Sequence, residues 1–250
     1  MMQQRSLMRQ RHRGYAGLLL ACLLLMGTLM LPRSLIQLVN VGYLILPFVL
    51  LISLGGPGED GRFTRLKTSL YRLLSGLTLV GSVVWFFVPS LFQRGSGMAV
   101  IGLWILLVIW SCERLIRYLA LERRVNRDVL MGALAGYLLL GLSVGLLFNI
   151  LEIVVPGSFA ADPDLKSALS HSVSSLAGQG ARQAIFVELN YFAFITLTTT
   201  GYGDIHPLTA QAQMICVFCS IAGTTYLALV MGLLISRYSA ADVADELDHA

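Results

Sequence analysis

The sequence predicts an all-α integral membrane protein with six membrane-spanning helices and one short re-entrant helix followed by an extended loop. Three observations carry this. Of the 250 residues, 56% are hydrophobic and only 13% charged, where a soluble domain is about 25% charged. Apolar runs of roughly the 20 residues needed to cross a hydrocarbon core of about 30 Å recur along the chain. Lys and Arg gather in alternate connections between those runs. The same composition excludes polar disorder and any collagen-like period. The four cysteines (Cys22, Cys112, Cys216, Cys219) lie inside apolar stretches, unlike an extracellular disulfide framework.

The first span, Gly14 to Leu31, follows a cytoplasmic N-terminus of residues 1–13 bearing Arg5, Arg9, Arg11 and Arg13. This start is signal-peptide-like in charge. The apolar run is too long, however, and another span follows within a few residues, so it is read as a retained helix. Leu35 to Leu54, Leu73 to Phe92 and Met98 to Arg117 complete a four-helix region over residues 14–128. At the end of the fourth span Glu113, Arg114 and Arg117 are expected at the cytoplasmic edge with their side chains snorkelling outward. Val129 to Val154 and Gln211 to Ser236 bracket a second region, residues 129–236. The remaining tail, 237–250, with Asp242, Asp245, Glu246 and Asp248, reads as a solvated end.

Charge placement tests this topology independently of hydropathy. With the N-terminus inside, Arg5, Arg9, Arg11, Arg13, Arg62, Arg65, Lys67, Arg72, Arg114, Arg117, Arg123, Arg124, Arg127 and Arg237 are cytoplasmic. Only Arg33, Arg94, Lys166 and Arg182 of the 18 basic residues fall outside. A multi-pass protein of the cell membrane with both termini in the cytoplasm follows, and the net charge of +4 needs no nucleic-acid partner.

Residues 155–210 lie outside in this topology, yet AIFVELNYFAFITLTTTGYGD is too apolar for a free loop. The helix expected over 182–197 is too short to cross and should dip in and return. Irregular backbone at membrane depth is tolerated only where protein buries it or where it lines a water-filled cavity, so a pore is implied.

After the half-helix come Thr198, Thr199, Thr200, Gly201, Tyr202, Gly203 and Asp204, and here the sequence resembles the potassium-channel pore family. The likeness covers about Val129 to Tyr238 and includes the order helix, pore helix, filter, helix. It implies a selectivity filter over 199–203 in which the carbonyls of Thr199, Thr200, Gly201 and Tyr202, with the Thr199 hydroxyl, bind successive K⁺ ions. By the same resemblance Tyr202 packs away from the ions against the pore helix, Thr198 anchors the filter from behind, and Asp204 braces its mouth. It further implies a homotetramer, each chain joined by three copies of itself within the lipid bilayer, with K⁺ as the permeant ion and no cofactor. Glycine suits such a filter because it takes positive φ at little cost. Three departures stand out. Thr200 replaces the family's usual Val or Ile, Ile195 stands where some members keep a carboxylate against the outer Asp, and Tyr191 and Phe192 replace a Trp pair.

In the last span Gly223 matches a family hinge position and Gly232 is a second hinge candidate. Close helix packing explains a glycine equally well. Cys216 and Cys219 form a CxxC only by spacing. A voltage sensor needs several Arg at every third position and buried acidic partners. Arg114 and Arg117 keep that spacing, Ala120 breaks it, and the first three spans hold no Asp or Glu. The stretch reads instead as a helix extension with Glu113 and Arg117 paired at i, i+4. A voltage-gated channel with a degenerate sensor and a subunit of a potassium-transport system are the alternatives. No nucleophile, base and orienting group converge, so no enzyme is expected.

Overall fold

The computed structural model describes residues 2–30, 37–55, 62–87, 97–121, 127–161, 179–232 and 234–236. The basic residues Arg33, Arg94, Arg123, Arg124 and Lys166 and the tail 237–250 lie outside them. In chain order the elements are α1 (Met2–Leu29), α2 (Gln37–Leu54), α3 (Arg62–Phe87), α4 (Gly97–Leu121), α5 (Arg127–Val154), β1 (Phe159–Ala161), α6 (Gln179–Leu197), β2 (Ile205–Pro207) and α7 (Ala210–Tyr226). Within the described residues each of the six windows expected to span overlaps a helix, and the expected half-helix is α6, which starts three residues earlier than its sequence boundary. Among the described residues, Arg127–Val154 and the run Ala210–Ser236 are long and apolar enough to cross a membrane. The chain divides into two compact units, Met1–Leu139 with Leu227–Ala250, and Leu140–Tyr226.

In the first unit α1 packs on α2, and α2, α3 and α4 pack on one another. The buried stripe of α1 is Tyr15, Leu18, Cys22 and Leu25, recurring at helical spacing. The buried stripe of α3 has the same spacing but the opposite chemistry: Thr68, Tyr71, Ser75, Thr78 and Ser82. Its exposed side is Leu66, Leu70, Leu73, Leu77, Val80, Val83 and Val84. This inverts the pattern of a helix folded in water, and the association of α3 within this unit rests on hydrogen bonds and close packing more than on hydrophobic burial.

The buried hydroxyls are satisfied. Ser75, Thr78 and Ser82 donate back to carbonyls one turn earlier, and the Trp104 indole of α4 donates to Ser82 at 2.9 Å. Fully buried Tyr71 donates its hydroxyl to the Leu50 carbonyl of α2 at 3.3 Å and lies 2.8 Å from the Ser111 hydroxyl of α4. Three helices thus meet at one phenol.

Arg114 corrects a sequence expectation. It does not snorkel but is 9% exposed, with its guanidinium carbon 4.9 Å from the Tyr71 ring centre. Its Nε donates to the Tyr118 hydroxyl at 2.8 Å and Nη2 to Thr68 at 3.2 Å. Hydroxyls and π faces at helical spacing supply the partners that the cytoplasmic edge was expected to supply. Arg117, by contrast, is exposed and pairs with Glu113 as expected.

Tyr71→Phe keeps the ring beneath Arg114 and removes the hydroxyl that joins α2 to α4. It is expected to cost about 1 to 2 kcal/mol, read as a lower thermal midpoint of the protein in lipid nanodiscs. Leu77→Ala, on the exposed face, should change stability by less than about 0.5 kcal/mol in the same assay.

Candidate functional site

The site is built at the C-terminal end of α6. Four amides turn back onto its last turn: Thr198 N reaches Phe194 O at 2.9 Å, Thr199 N reaches Thr196 O at 3.1 Å, and Thr200 N and Gly201 N share Ile195 O at 2.9 and 3.3 Å. With Thr199 at φ 57°, this is a Schellman ending in which Thr199 takes the left-handed position that glycine usually fills. A non-glycine residue there costs about 1 to 2 kcal/mol. The Ile195 carbonyl, otherwise an orphan of the helix end, becomes the anchor of the extended segment.

Beyond that anchor, positive φ recurs at every second residue: Thr199 at 57°, Gly201 at 53° and Gly203 at 83°, with Thr200 and Tyr202 between them outside that region. Alternating backbone handedness is the conformation that lets successive carbonyls face one side, and it requires glycine at least at 201 and 203. The Thr198 hydroxyl donates to Phe194 O at 2.8 Å and lies 2.8 Å from the Thr200 hydroxyl, which therefore donates to it. Thr200, where the family this sequence resembles usually has Val or Ile, thus adds a hydroxyl link to Thr198. Thr198 through Gly203 are exposed in the single chain. Tyr202 is 71% exposed, so most of the ring expected to pack on the pore helix is left uncovered by its own chain.

Asp204 has a pore-helix partner that the sequence did not suggest. Ile195, at the position of the family's carboxylate, is buried, but one turn earlier the Tyr191 hydroxyl donates to Asp204 Oδ2 at 2.8 Å. Asp204 Oδ1 also accepts the Ile205 amide at 3.1 Å. The chain then runs straight into β2, which pairs antiparallel with β1 in the register Phe159↔Pro207, Ala160↔His206, Ala161↔Ile205. Strands of three residues are too short for alternation to register in sequence, and this ribbon is the one departure from an all-α chain among the described residues. Leu208 N donates to Ser158 O at 2.8 Å, extending the pairing by one bond. Glu152, in the last turn of α5, accepts the Gly157 amide at 2.8 Å and the Phe159 amide at 3.1 Å, one on each carboxylate oxygen. The Phe159 ring sits 5.1 Å from Phe148 of α5 and 5.6 Å from Phe192 of α6, centre to centre.

Glycines set how closely the flanking helices approach α6. An added Cβ at Gly141 would lie 2.3 Å from Phe194 Cε1, and one at Gly145 would lie 2.2 Å from Asn190 Oδ1. This small-xxx-small pair on α5 accepts residues spaced by one turn on α6. On α7, a Cβ at Gly223 would lie 2.3 Å from the Leu197 carbonyl, and Ser220 donates to Thr196 O at 3.3 Å. Gly223 is therefore a close-approach glycine, seated against the end of α6. Gly232 meets nothing within 4 Å. The irregularity of this helix lies between the two, in a π-helical turn over Leu227–Met231. No glycine marks it, so sequence reasoning had no signal for it. Cys216 and Cys219 are buried free thiols, as a packing role requires.

Comparison with known proteins gives this region its class. Residues 165–240 match a family model described as ion channel. Potassium voltage-gated channel subfamily A member 5 of Mus musculus is 31% identical over 61 residues, 24% of this chain and 10% of its own length. Subfamily A member 6 of Homo sapiens is 35% identical over 49 residues, 20% of this chain and 9% of its own length. The chain thus spans about a tenth of the length of the curated relatives it matches. Residues 165–240 thus resemble an ion-channel domain, and the likeness is to channels and not to an enzyme.

Gly223→Ala is expected to displace the end of α6, because the atom met is a backbone carbonyl that cannot turn aside, and to cost about 1 to 3 kcal/mol, read as a lower thermal midpoint in lipid nanodiscs. Gly232→Ala, with open space around it, should gain about 1 kcal/mol of helix stability in the same assay.

Proposed function

We propose that the chain is one subunit of a potassium-selective channel that passes K⁺ passively down its electrochemical gradient through a pore shared by four copies. The observation that carries it is the alternate left-handed backbone at Thr199, Gly201 and Gly203, held at the C-terminal end of a half-helix. A dehydrated cation needs a cage of oxygens, and the carbonyls of Thr199, Thr200, Gly201 and Tyr202 with the Thr199 hydroxyl are the oxygens available. Thr198 ties the inner end and Asp204 the outer end. The C-terminal dipole of α6 favours a cation beneath the segment.

One chain supplies one edge of each oxygen ring, which is why four are required. Met214, Val217, Phe218 and Ile221 of α7, together with Tyr202, are large side chains left exposed by the single chain and are the surface other copies would cover. K⁺ is the permeant ion, and no cofactor enters the reading. The matched relatives bear the name of voltage-gated potassium channels, and the potassium part of that name agrees with the filter residues. Their voltage gating is not carried over, because the match covers about a tenth of their length. The charge bias supports an orientation of the six spans with both termini in the cytoplasm, and the cell membrane is the membrane this reading assigns.

Purified protein reconstituted in a planar bilayer should give potassium-selective current, abolished by Gly201→Ala or Gly203→Ala. Its native mass should be four times the 27.3 kDa protomer. Equal permeability to sodium and potassium would sink the selectivity, and a native mass of one protomer would sink the shared pore.

A further inference from the structure

We propose, resting on the channel function above, that the Thr200 hydroxyl is a positioning group for ion size: it ties the carbonyls of Thr199 and Thr200 at a spacing suited to K⁺ and so discriminates against larger alkali cations such as Cs⁺. Thr200 is held at three points, all ending on the last turn of α6. Its amide donates to Ile195 O at 2.9 Å, and the following amide of Gly201 reaches the same oxygen at 3.3 Å. Its hydroxyl donates to the Thr198 hydroxyl at 2.8 Å, which passes the link to Phe194 O at 2.8 Å. The Thr198 amide reaches Phe194 O as well, at 2.9 Å. All of these bonds lie within one chain, so each copy carries its own set.

A trans peptide is planar, with its carbonyl opposite its N–H. The amides of Thr200 and Gly201 belong to the peptides whose carbonyls are those of Thr199 and Thr200. Aiming both N–H groups at Ile195 O therefore aims both carbonyls away from α6, to the side assigned to the ion. The Gly201 anchor, which controls the Thr200 carbonyl, is the longer of the two. The Thr200 hydroxyl acts on that same residue from its side chain, because the residue cannot rock relative to the helix end without breaking a 2.8 Å contact. A Val at 200 has the same branched shape and the same stiff χ1 but nothing to donate. The hydroxyl thus adds restraint where the backbone anchor is weakest. Restraint decides whether an oxygen ring can relax around a larger ion: a free ring widens at little cost, and one tied to a helix end at each of its edges does not.

The test measures the reversal potential of the full chain in a planar bilayer with caesium on one side and potassium on the other, a readout independent of channel number. Thr200→Val removes one donor and strands no other, since Thr198 still gives its proton to Phe194 O. The caesium to potassium permeability ratio should rise roughly two- to tenfold, the span expected for one neutral hydrogen bond lost. Thr200→Ser keeps the hydroxyl and should stay near the wild type. Thr198→Val removes the acceptor and should raise the ratio in the same direction, and adding Thr200→Val to it should change the ratio by less than about twofold. An unchanged ratio in Thr200→Val would overturn the proposal. So would a serine variant that shifts as far as valine, which would make shape and not the hydroxyl the cause, and so would independent effects of the two valines. Failure of Thr200→Val to assemble or conduct would overturn it too, because one restraint among several is not needed for the pore to form. A wild type that passes no potassium sinks the channel function itself, whereas a potassium-selective wild type with an unaltered Thr200→Val sinks only the role of the hydroxyl.

Discussion

The Ile195 carbonyl accepts two amides, those of Thr200 and Gly201, and through them an α-helix is converted within three residues into a chain of alternating handedness. Everything else in the Leu140–Tyr226 unit holds that junction in place. Behind it, the hydroxyls of Thr198 and Thr200 link the extended segment back to Phe194 O. Beneath it, Gly223 leaves room for the Leu197 carbonyl. Past its outer end, Tyr191 and the β ribbon hold Asp204 and the residue that follows. An extended backbone with no ladder of its own must borrow rigidity from its surroundings, and each of these contacts supplies some of it. The strain at Thr199 is tolerated because the helix ending around it is fully hydrogen-bonded.

The Met1–Leu139 unit answers to a different constraint. When the solvent is hydrocarbon, leucine gains nothing by turning inward, while a serine or threonine facing outward lacks a partner. On α3 a row of five hydroxyl-bearing side chains is buried and a row of aliphatic ones exposed, the division such a solvent favours. Arg114 obeys the same logic. Its charge is drawn into the aromatic and hydroxyl face made by Tyr71, Tyr118 and Thr68, where cation-π contact and hydrogen bonds take the place of water.

The glycines show where sequence reading succeeds and where it stops. Gly201 and Gly203 are legible because the chemistry of a carbonyl-lined segment demands positive φ at those places. Gly223 offers two meanings in the sequence, hinge or close packing, and only the position of the Leu197 carbonyl decides for packing. Ile195, where some members of the resembled family keep a carboxylate, leaves Asp204 without that partner in the sequence, and the structure supplies one at Tyr191, one helical turn away. Both positions face the same side of α6, so periodicity alone cannot choose between a buried isoleucine and a phenol that reaches the mouth.

By itself the sequence determined the solvent, the helices and the chemistry of one loop. Runs of apolar residues can survive only as helices in hydrocarbon, basic residues mark the connections, and TTTGYGD specifies the backbone geometry that follows α6. Those features are local, and local physics reads them out. Tertiary structure decided what meets the end of that loop: Tyr191 on α6 reaches Asp204, and the strand that follows pairs with a three-residue strand more than forty residues earlier, whose first amide is held by Glu152 on α5. These depend on the distance between elements far apart in sequence, which no periodicity encodes. The direction of Arg114 was settled in the same way, because whether a charge snorkels or is caged depends on what the neighbouring helix presents to it.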